Sequence, residues 1–539
     1  MKQTLLTALG LALLLPAGAA AQSAVDAYNI TPTQLRGTAR FISMGGAFTS
    51  LGGDISSMTQ NPAGLGIYRK SDIGLTFDVS IRNYKTDTNY GSIKENQTKA
   101  IFDNIGYVGV IPLSGAMSNL SWGVSYNRIN SFERRFNGYN TQTETSLSNY
   151  IASYTQGVNS SELLFGHDSN GNINYNPYLD SDNDWLSILA YNSMMINNPL
   201  SSNTEYAGLY QNGTVGDAMY EVRESGFTDE YNIDFAGNFN DVVFWGLGVG
   251  IVDMEYNRQT NYSESMSGAL VYNEGTDMLA SGNAGFNLYN IKRTTGTGAN
   301  IKFGLIVRPI EALRIGVAVH TPTWLHLSHQ GYGEVDANYT PDKSQKTTEI
   351  SEYTDEYDYS SRLNTPWRFM IGASTVIGSR AILSLDYERV AYPDMKMKYQ
   401  AYGSYNNFVE DKQGNADIKS YFKAANIIRV GAEYRITPSF SVRAGYNFQT
   451  SNVRDSASGD YAEIYTAGTD PSYSFNKDTQ NICLGIGYRY QAWYIDLAYQ
   501  HTNIKSTYHA YTPFGGMKTP SAERSDNYNN IVLSTGFRF

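Results

Sequence analysis

Few side chains in this sequence have the types and spacing that chemistry requires. Trp324, His326 and His329 lie close together, and two imidazoles at that spacing could ligate a haem iron, although ordinary loop residues are the simpler interpretation. Asp386 and Glu388 lie on one side of a predicted strand, where paired carboxylates are common. Neither a G-x-S-x-G nor an H-E-x-x-H sequence is present, so we predict no catalytic residue and no enzyme activity.

Two acidic clusters have the alternating spacing of a calcium-binding loop: Asp168, Asn170 and Asn172, and then Asp180, Asp182 and Asp184. Neither cluster has the glycine at position six or the distal glutamate of an EF-hand, so a solvated Asn/Asp turn is the simpler interpretation. Gly45-Gly46 and Gly52-Gly53 fit neither the G-x-G-x-x-G nor the Walker pattern. We predict no metal and no cofactor, with calcium in this loop left open. The formal charge of −11 argues against a nucleic-acid partner.

The N-terminus has the composition of a secretory signal peptide. Lys2 is followed by an apolar run from Leu5 to Leu15, and Ala19-Ala20-Ala21 supplies small residues for cleavage. The run is too short to span a bilayer, which takes roughly 20 apolar residues. We therefore expect residues 1–21 to be a cleaved signal peptide and the mature chain to begin at Gln22.

Period-two alternation runs through the rest of the chain. Ile73 to Ile81 places apolar residues on one face and polar residues on the other, and the last ten residues alternate similarly and end in Phe539, as a barrel-insertion signal does. The polar face carries charges in mid-strand: Asp78, Arg429, Glu433, Arg443 and Asp496. A lipid-facing exterior and a polar lumen explain both faces, so we predict an all-β transmembrane barrel over residues 71–539 in the cell outer membrane.

Tight turns set the strand number. Six are predicted, near Gly115–Asn119, Asn238–Val242, Pro309–Leu313, Gly378–Arg380, Thr437–Ser439 and Gln491–Ala492. They give twelve strands, and the strand from Ser71 and the final strand make an antiparallel barrel of fourteen. The long polar segments between hairpins are predicted to be extracellular loops: Asn83–Asn104, Phe132–Asp229, Asn257–Gly296, Thr321–Pro366, Tyr392–Ala425, Gln449–Thr479 and Asn503–Asn529.

Residues 22–70 do not alternate. They are rich in glycine, and their apolar residues include Phe41, Met44 and Phe48. So short a segment cannot fold alone but could fill a lumen as a plug, where these three side chains could touch a ligand. Gly246, Gly248 and Gly250 form a stripe without side chains on a predicted strand, which leaves room for the backbone of the plug. Crowding within the barrel explains the stripe equally well.

One helix is predicted in the insert Phe132–Asp229. Asp184 is a plausible N-cap, apolar residues follow from Trp185 to Ile196, and Pro199 ends the segment. If this helix forms an apolar capture groove, its ligand-contacting residues are Trp185, Leu189, Met194 and Met195. Packing against the other loops is the simpler interpretation.

Three stretches before the first strand resemble the hatch of the FadL/TodX family of outer-membrane transporters: Leu35 to Arg40, Met44 to Ala47, and Asn61-Pro62-Ala63-Gly64. Pro366-Trp367-Arg368 and the segment from Arg429 to Tyr446 resemble later strands of that family, whereas the insert does not. The resemblance implies a fourteen-stranded barrel, a luminal hatch closed by the Asn61–Gly64 motif, and passive uptake of long-chain fatty acids or similar apolar or aromatic compounds.

The predicted function is therefore uptake of a hydrophobic small molecule by a monomeric barrel, whose other partners are outer-membrane lipid and the barrel-assembly machinery. Two alternatives remain open, a shuttle for secreted proteins and a haem-binding receptor. The sequence also leaves open whether the ligand exits sideways into the membrane or into the periplasm.

Overall fold

The computed structural model describes residues 22–199, 202–273, 278–342, 346–401 and 407–539. The predicted signal peptide lies outside the described residues. Six α-helices occur in the described part: α1 (Ala24–Ile30), α2 (Ala39–Ser43), α3 (Leu147–Thr155), α4 (Pro177–Asp180), α5 (Trp185–Asn192) and α6 (Lys412–Tyr421). Short 3-10 helices span Ile55–Thr59, Pro62–Ile67, Ser160–Glu162, Tyr392–Asp394 and Asp455–Ala457. Among the described residues, no helix is long and apolar enough to cross a membrane.

Strands make up most of the described chain. In order they are β1 (Asp72–Asp87), β2 (Ser92–Pro112), β3 (Met117–Ser131), β4 (Arg134–Asn140), β5 (Gly166–His167), β6 (Ile173–Tyr175), β7 (Ile196–Asn197), β8 (Ala207–Gly208), β9 (Val215–Phe239), β10 (Val243–Asn273), β11 (Met278–Ile310), β12 (Leu313–His320), β13 (Trp324–Pro341), β14 (Thr348–Tyr353), β15 (Tyr357–Asn364), β16 (Arg368–Ile377), β17 (Ala381–Val390), β18 (Lys396–Gln400), β19 (Phe408–Glu410), β20 (Ala425–Arg435), β21 (Phe440–Gln449), β22 (Tyr473–Tyr490), β23 (Trp493–His509) and β24 (Ser521–Arg538).

Fourteen of these strands form a closed antiparallel barrel. The wall runs β1, β2, β3, β9, β10, β11, β12, β16, β17, β20, β21, β22, β23 and β24. It closes where β1 pairs with β24, from Asp72 opposite Arg538 to Asp87 opposite Glu523. The predicted count is confirmed, and a short turn lies at each of the six predicted positions. At one of them Asn240 and Asp241 both have positive φ, as a tight hairpin requires.

The outer face of the wall carries an apolar band. Phe77 is 51% exposed, Ile251 49% and Leu385 54%, whereas the inward neighbours Asp78 and Asp386 are almost fully buried. Side chains of this kind on every strand, with the polar groups inside, require a hydrocarbon surrounding rather than water. The barrel therefore spans a membrane, and its short turns mark the periplasmic end.

Several of the predicted extracellular loops are instead strand. β10 and β11 are 31 and 33 residues long, so most of Asn257–Gly296 is paired sheet, and Asn83–Asn104 and Asn503–Asn529 are largely strand as well. A bilayer crossing needs only about 9–11 residues. These segments were predicted as loops because their outward residues are polar, but outside the membrane the outer face of a sheet meets water.

The insert before β9 folds into the concave face of this extracellular wall. Leu147, Ile151 and Leu189 of the insert pack with Tyr262 and Phe286 of the wall. The predicted helix forms as α5, and the Asp184 carboxylate accepts a hydrogen bond from the Leu186 N–H at 2.9 Å. It ends earlier than expected, at Asn192, because Met194 adopts φ +58° and so leaves the helical region. We call residues 141–214 the cap.

Candidate functional site: the plugged lumen

Residues 22–70, the N-terminal segment, lie inside the barrel. Met44, Ala47, Phe48, Met58 and Leu65 are fully buried, although the segment contains only short helices. α2 contacts β21 to β24, and the 3-10 helix Pro62–Ile67 contacts β9, β10 and β11 on another part of the wall. The segment is thus held by strands from around the circumference.

A ring of glycines makes room for it. On each of ten strands, a Cβ added to one glycine would come within 3.0 Å of the N-terminal segment: Gly74, Gly106, Gly123, Gly246, Gly304, Gly316, Gly372, Gly431, Gly445 and Gly485. At Gly74 and Gly372 a side chain of the wall would be nearer still. At Gly431 that atom would lie 2.5 Å from the Met44 carbonyl oxygen. Of the predicted stripe only Gly246 meets the segment, since Gly248 faces Asp234 and Gly250 faces Glu230 and Asn300. The space for the plug runs around the barrel rather than along one strand.

The Asn61–Gly64 motif fastens the segment to the wall. Asn61 is extended at φ −140° and ψ 102°, and its Oδ1 accepts the Ala63 N–H at 3.0 Å. Its Nδ2 donates to the Thr49 carbonyl at 2.6 Å and to the wall carbonyl of Val317 at 3.3 Å. Pro62 begins the 3-10 helix, and the Cβ of Ala63 packs in a small cluster with Phe244 and Ile306. A Cβ at Gly64 would lie 2.9 Å from the Cα of Gly52, so the two turns of the segment touch there.

Buried ion pairs join the segment to the wall. The Arg36 guanidinium contacts Asp78 at 3.0 Å and Asp103 at 2.5 Å, and all three side chains are at most 3% exposed. Arg40 contacts Glu433 at 3.0 Å, and Glu433 also pairs with Arg443. The sequence showed the charges of the wall but not that Arg36 and Arg40 pair with them, because that pairing requires the N-terminal segment to lie inside the barrel.

The carboxylates considered for catalysis also have structural partners. Asp386 accepts a hydrogen bond from the Thr49 N–H at 2.7 Å, and Glu388 pairs with both Arg368 and Arg429. Asp386 therefore holds the N-terminal segment, and Glu388 holds neighbouring strands.

A cavity of about 280 Å³ remains between residues 28–36 of the segment and the wall. Its lining includes apolar side chains such as Phe41, Phe132 and Met254, and polar ones such as Arg82 and Lys302. The space can therefore accommodate an apolar body beside a polar group.

Helix α1 fills an apolar socket next to this cavity. The Tyr28 ring stacks on Phe422 at 5.4 Å and meets Phe475 edge-on at 5.1 Å, and its hydroxyl accepts the Asn476 N–H. Asp26 pairs with Lys292 at the edge of the socket. Sequence reasoning missed this helix because it is only seven residues long, although Ser23 and Asp26 form a capping box that could have identified its start.

The residues predicted to touch a ligand fall into two separate groups. Phe41, Met44 and Phe48 share one buried cluster against the wall, and of these three only Phe41 also lines the cavity. Trp185, Leu189 and Met195 lie in the core of the cap, and Met194 packs against that core while partly exposed; none of the four lines the cavity.

The proposed metal ligands have other roles. His326 is exposed on one face of β13, whereas His329 is buried on the other and bonds Ser361 Oγ at 2.8 Å, so the two cannot bind one iron. Asp168 accepts the N–H groups of Asn170 and Asn172 within its own turn. Within the described part of the chain, no group of three or more His, Cys, Asp or Glu residues is placed to hold a metal ion.

No protein-family model and no curated protein sequence matches this chain. Among solved structures, a Pseudomonas aeruginosa FadL homologue matches with a TM-score of 0.50 at 13% identity, over 96% of this chain and 100% of that one. The P. putida toluene transporter TodX matches with a TM-score of 0.47 at 13% identity, over 94% and 99%. The Ralstonia pickettii toluene transporter TbuX matches with a TM-score of 0.45 at 13% identity, over 94% and 99%.

The predicted resemblance to FadL is confirmed as a resemblance of fold: both chains form the same kind of barrel over nearly their whole length. The closed wall and its apolar band make this chain an outer-membrane β-barrel.

Proposed function

We propose that this chain is a monomeric outer-membrane channel for the passive uptake of hydrophobic small molecules, and that residues 22–70 are its hatch. The observation that supports this function best is the ring of ten luminal glycines, which leaves space in the lumen for the N-terminal segment. Long-chain fatty acids or aromatic compounds are the substrates that we propose, because the cavity lining offers apolar contacts together with polar groups.

A break in the wall suggests a sideways exit. β2 pairs with β3 only from Asn104 to Pro112, and in the described residues its outer part pairs with β1 alone. Side chains span the gap instead, through Glu95–Arg135 at 3.4 Å and Lys99–Glu133 at 3.2 Å. Ser131 and Glu133, on the edge of this gap, also line the cavity. At the lower end of the gap Phe102 pairs with Phe77 of the apolar band, so a solute could leave there into the membrane without crossing the hatch.

Uptake into liposomes tests the transport proposal. Liposomes with the purified barrel should take up labelled oleate or toluene faster than empty liposomes, and a polar solute such as sucrose should enter neither. A barrel that accelerates no apolar solute would contradict the proposal. Co-purification of a secreted protein in that case would favour the shuttle alternative.

Two variants test the hatch separately. Deletion of Gln22–Phe48 removes α1, α2 and the Arg36 and Arg40 pairs but leaves every wall strand intact, so the barrel should still insert while sucrose now leaks through it. Asn61→Ala removes three hydrogen bonds of the motif and should lower oleate uptake. Sucrose leak and oleate uptake equal to those of the parent in both variants would rule out the hatch while leaving the barrel unaffected.

A further inference from the structure

A second concave surface lies on the outside of the extracellular wall. It has a volume of about 1030 Å³ and is formed where β9, β10, β11, β13 and β14 run side by side beyond the membrane. The inner face of the same sheet packs on the cap, through side chains such as Met266 and Phe286. The outer face is open to the medium, and we call it the outer groove.

The side chains of the outer groove are aligned across the five strands. One row is Asp217, Ser265, Gly285, Asn338 and Glu349, and the next is Met219, Ser263, Asn287, Asp336 and Ser351. Four steps between neighbouring strands make each row roughly 19 Å long. The groove therefore presents a line of hydroxyls, amides and carboxylates as long as a short oligomer.

The rows nearer the membrane are built differently. There the same strands carry long side chains, and Arg223 pairs with Glu221 at 2.7 Å and Arg293 with Glu255 at 3.2 Å. Among the described residues, no lysine or arginine lines the outer groove. The short side chains of the groove leave a trough that a ligand can enter.

Aromatic rings border the trough. Tyr139 lines it, donates its hydroxyl to Asp217 at 2.9 Å and meets Tyr90 edge-on at 4.9 Å. Tyr353, in the adjacent row of β14, is 71% exposed. Tyrosine faces offer flat apolar surface beside a polar edge.

We propose that the outer groove binds a neutral oligosaccharide. Carboxylates and amide oxygens accept hydrogen bonds from sugar hydroxyls, amide nitrogens donate to them, and the bordering tyrosines pack on the apolar faces of sugar rings. Asp217, Asp336 and Glu349 give the described lining of the groove a negative charge, which repels sialylated or sulfated sugars. This site is separate from the lumen and does not depend on transport.

Glycan binding by the full-length protein in detergent tests the proposal. Titration calorimetry would use neutral hexasaccharides of glucose and of mannose, the O-polysaccharide of the source bacterium, and a sialylated and a sulfated oligosaccharide. At least one neutral glycan should bind, and the acidic ones should not. Binding of the O-polysaccharide would identify a ligand from the cell's own surface, whereas binding of only the other glycans would identify an external one.

Matched variants locate the site. Ser265→Lys and Asn338→Lys each place a long cationic side chain in the row that runs from Asp217 to Glu349, and each should weaken glycan binding at least tenfold. Gln259→Lys makes a comparable change on the same face of β10 below the groove, and its affinity should stay within twofold of the parent. Oleate uptake should be unchanged in all three. The proposal would be overturned if no neutral glycan bound the parent. It would also be overturned if Ser265→Lys and Asn338→Lys bound the glycan as tightly as the parent does.

Discussion

Removal of the Arg36 side chain should unseat the N-terminal segment without unfolding the barrel. Arg36 holds Asp78 of β1 at 3.0 Å and Asp103 of β2 at 2.5 Å, and each of the three side chains is at most 3% exposed. Arg36→Met preserves most of the side-chain volume but leaves two carboxylates buried without their cation. Breaking a buried pair in this way costs about 3–5 kcal/mol.

That cost falls on the seated state alone, because displacement of the segment lets water reach the two carboxylates. The equilibrium between seated and displaced segment should therefore shift by roughly one hundred to four thousand fold, at about 1.4 kcal/mol per factor of ten. Single-channel conductance in planar bilayers reports the displaced state directly. We expect frequent open events in the variant and rare ones in the parent.

A charge-neutral triple variant separates electrostatics from packing. Arg36→Met combined with Asp78→Asn and Asp103→Asn removes the uncompensated charges while retaining the side-chain shapes, so much of the closure should return. Heat resistance of the barrel should be similar in all forms. If Arg36→Met opened no more often than the parent, the Arg36 pairs would not hold the segment in place. If the triple variant opened as often as Arg36→Met, the uncompensated charges would not be the cause.

Two further predictions follow from the structure. Gly431→Leu should displace the segment at Met44 and raise sucrose leak, because even a Cβ at this position would lie 2.5 Å from the Met44 carbonyl oxygen. The control Gly285→Leu lies outside the ring of glycines and should not raise the leak. Burial raises the pKa of the Asp184 carboxyl from 3.8 to about 6. The folded cap therefore binds the carboxyl proton more tightly than the unfolded cap does. This proton stabilises the folded cap below pH 4, and the stabilisation is lost as the pH rises through 6. Hydrogen exchange of α5, corrected for intrinsic rate, should therefore speed up between pH 4 and 7 in the parent and stay flat in Asp184→Asn; an equal rise in both would contradict the assignment.

Features that depend only on neighbours along the chain could be predicted before the fold was known. Alternation such as that from Ile73 to Ile81 is a local property with the period of a strand, and a tight turn such as Asn240–Asp241 is specified by its own residues. Both could be counted without tertiary structure, which is why the fourteen strands were predicted correctly. The N-cap Asp184 was identified for the same reason.

The residues that contact each other across the lumen could not be predicted in this way. The glycines that seat the segment lie on ten strands, and no spacing along the chain relates Gly106 to Gly445. His326 and His329 are close in sequence, yet the strand turns them to opposite faces. The Arg36 pairs likewise depend on the segment folding back into the barrel. Closure of the sheet brings distant residues to one level of the lumen, and that level is set by the register between strands, which period-two alternation does not encode.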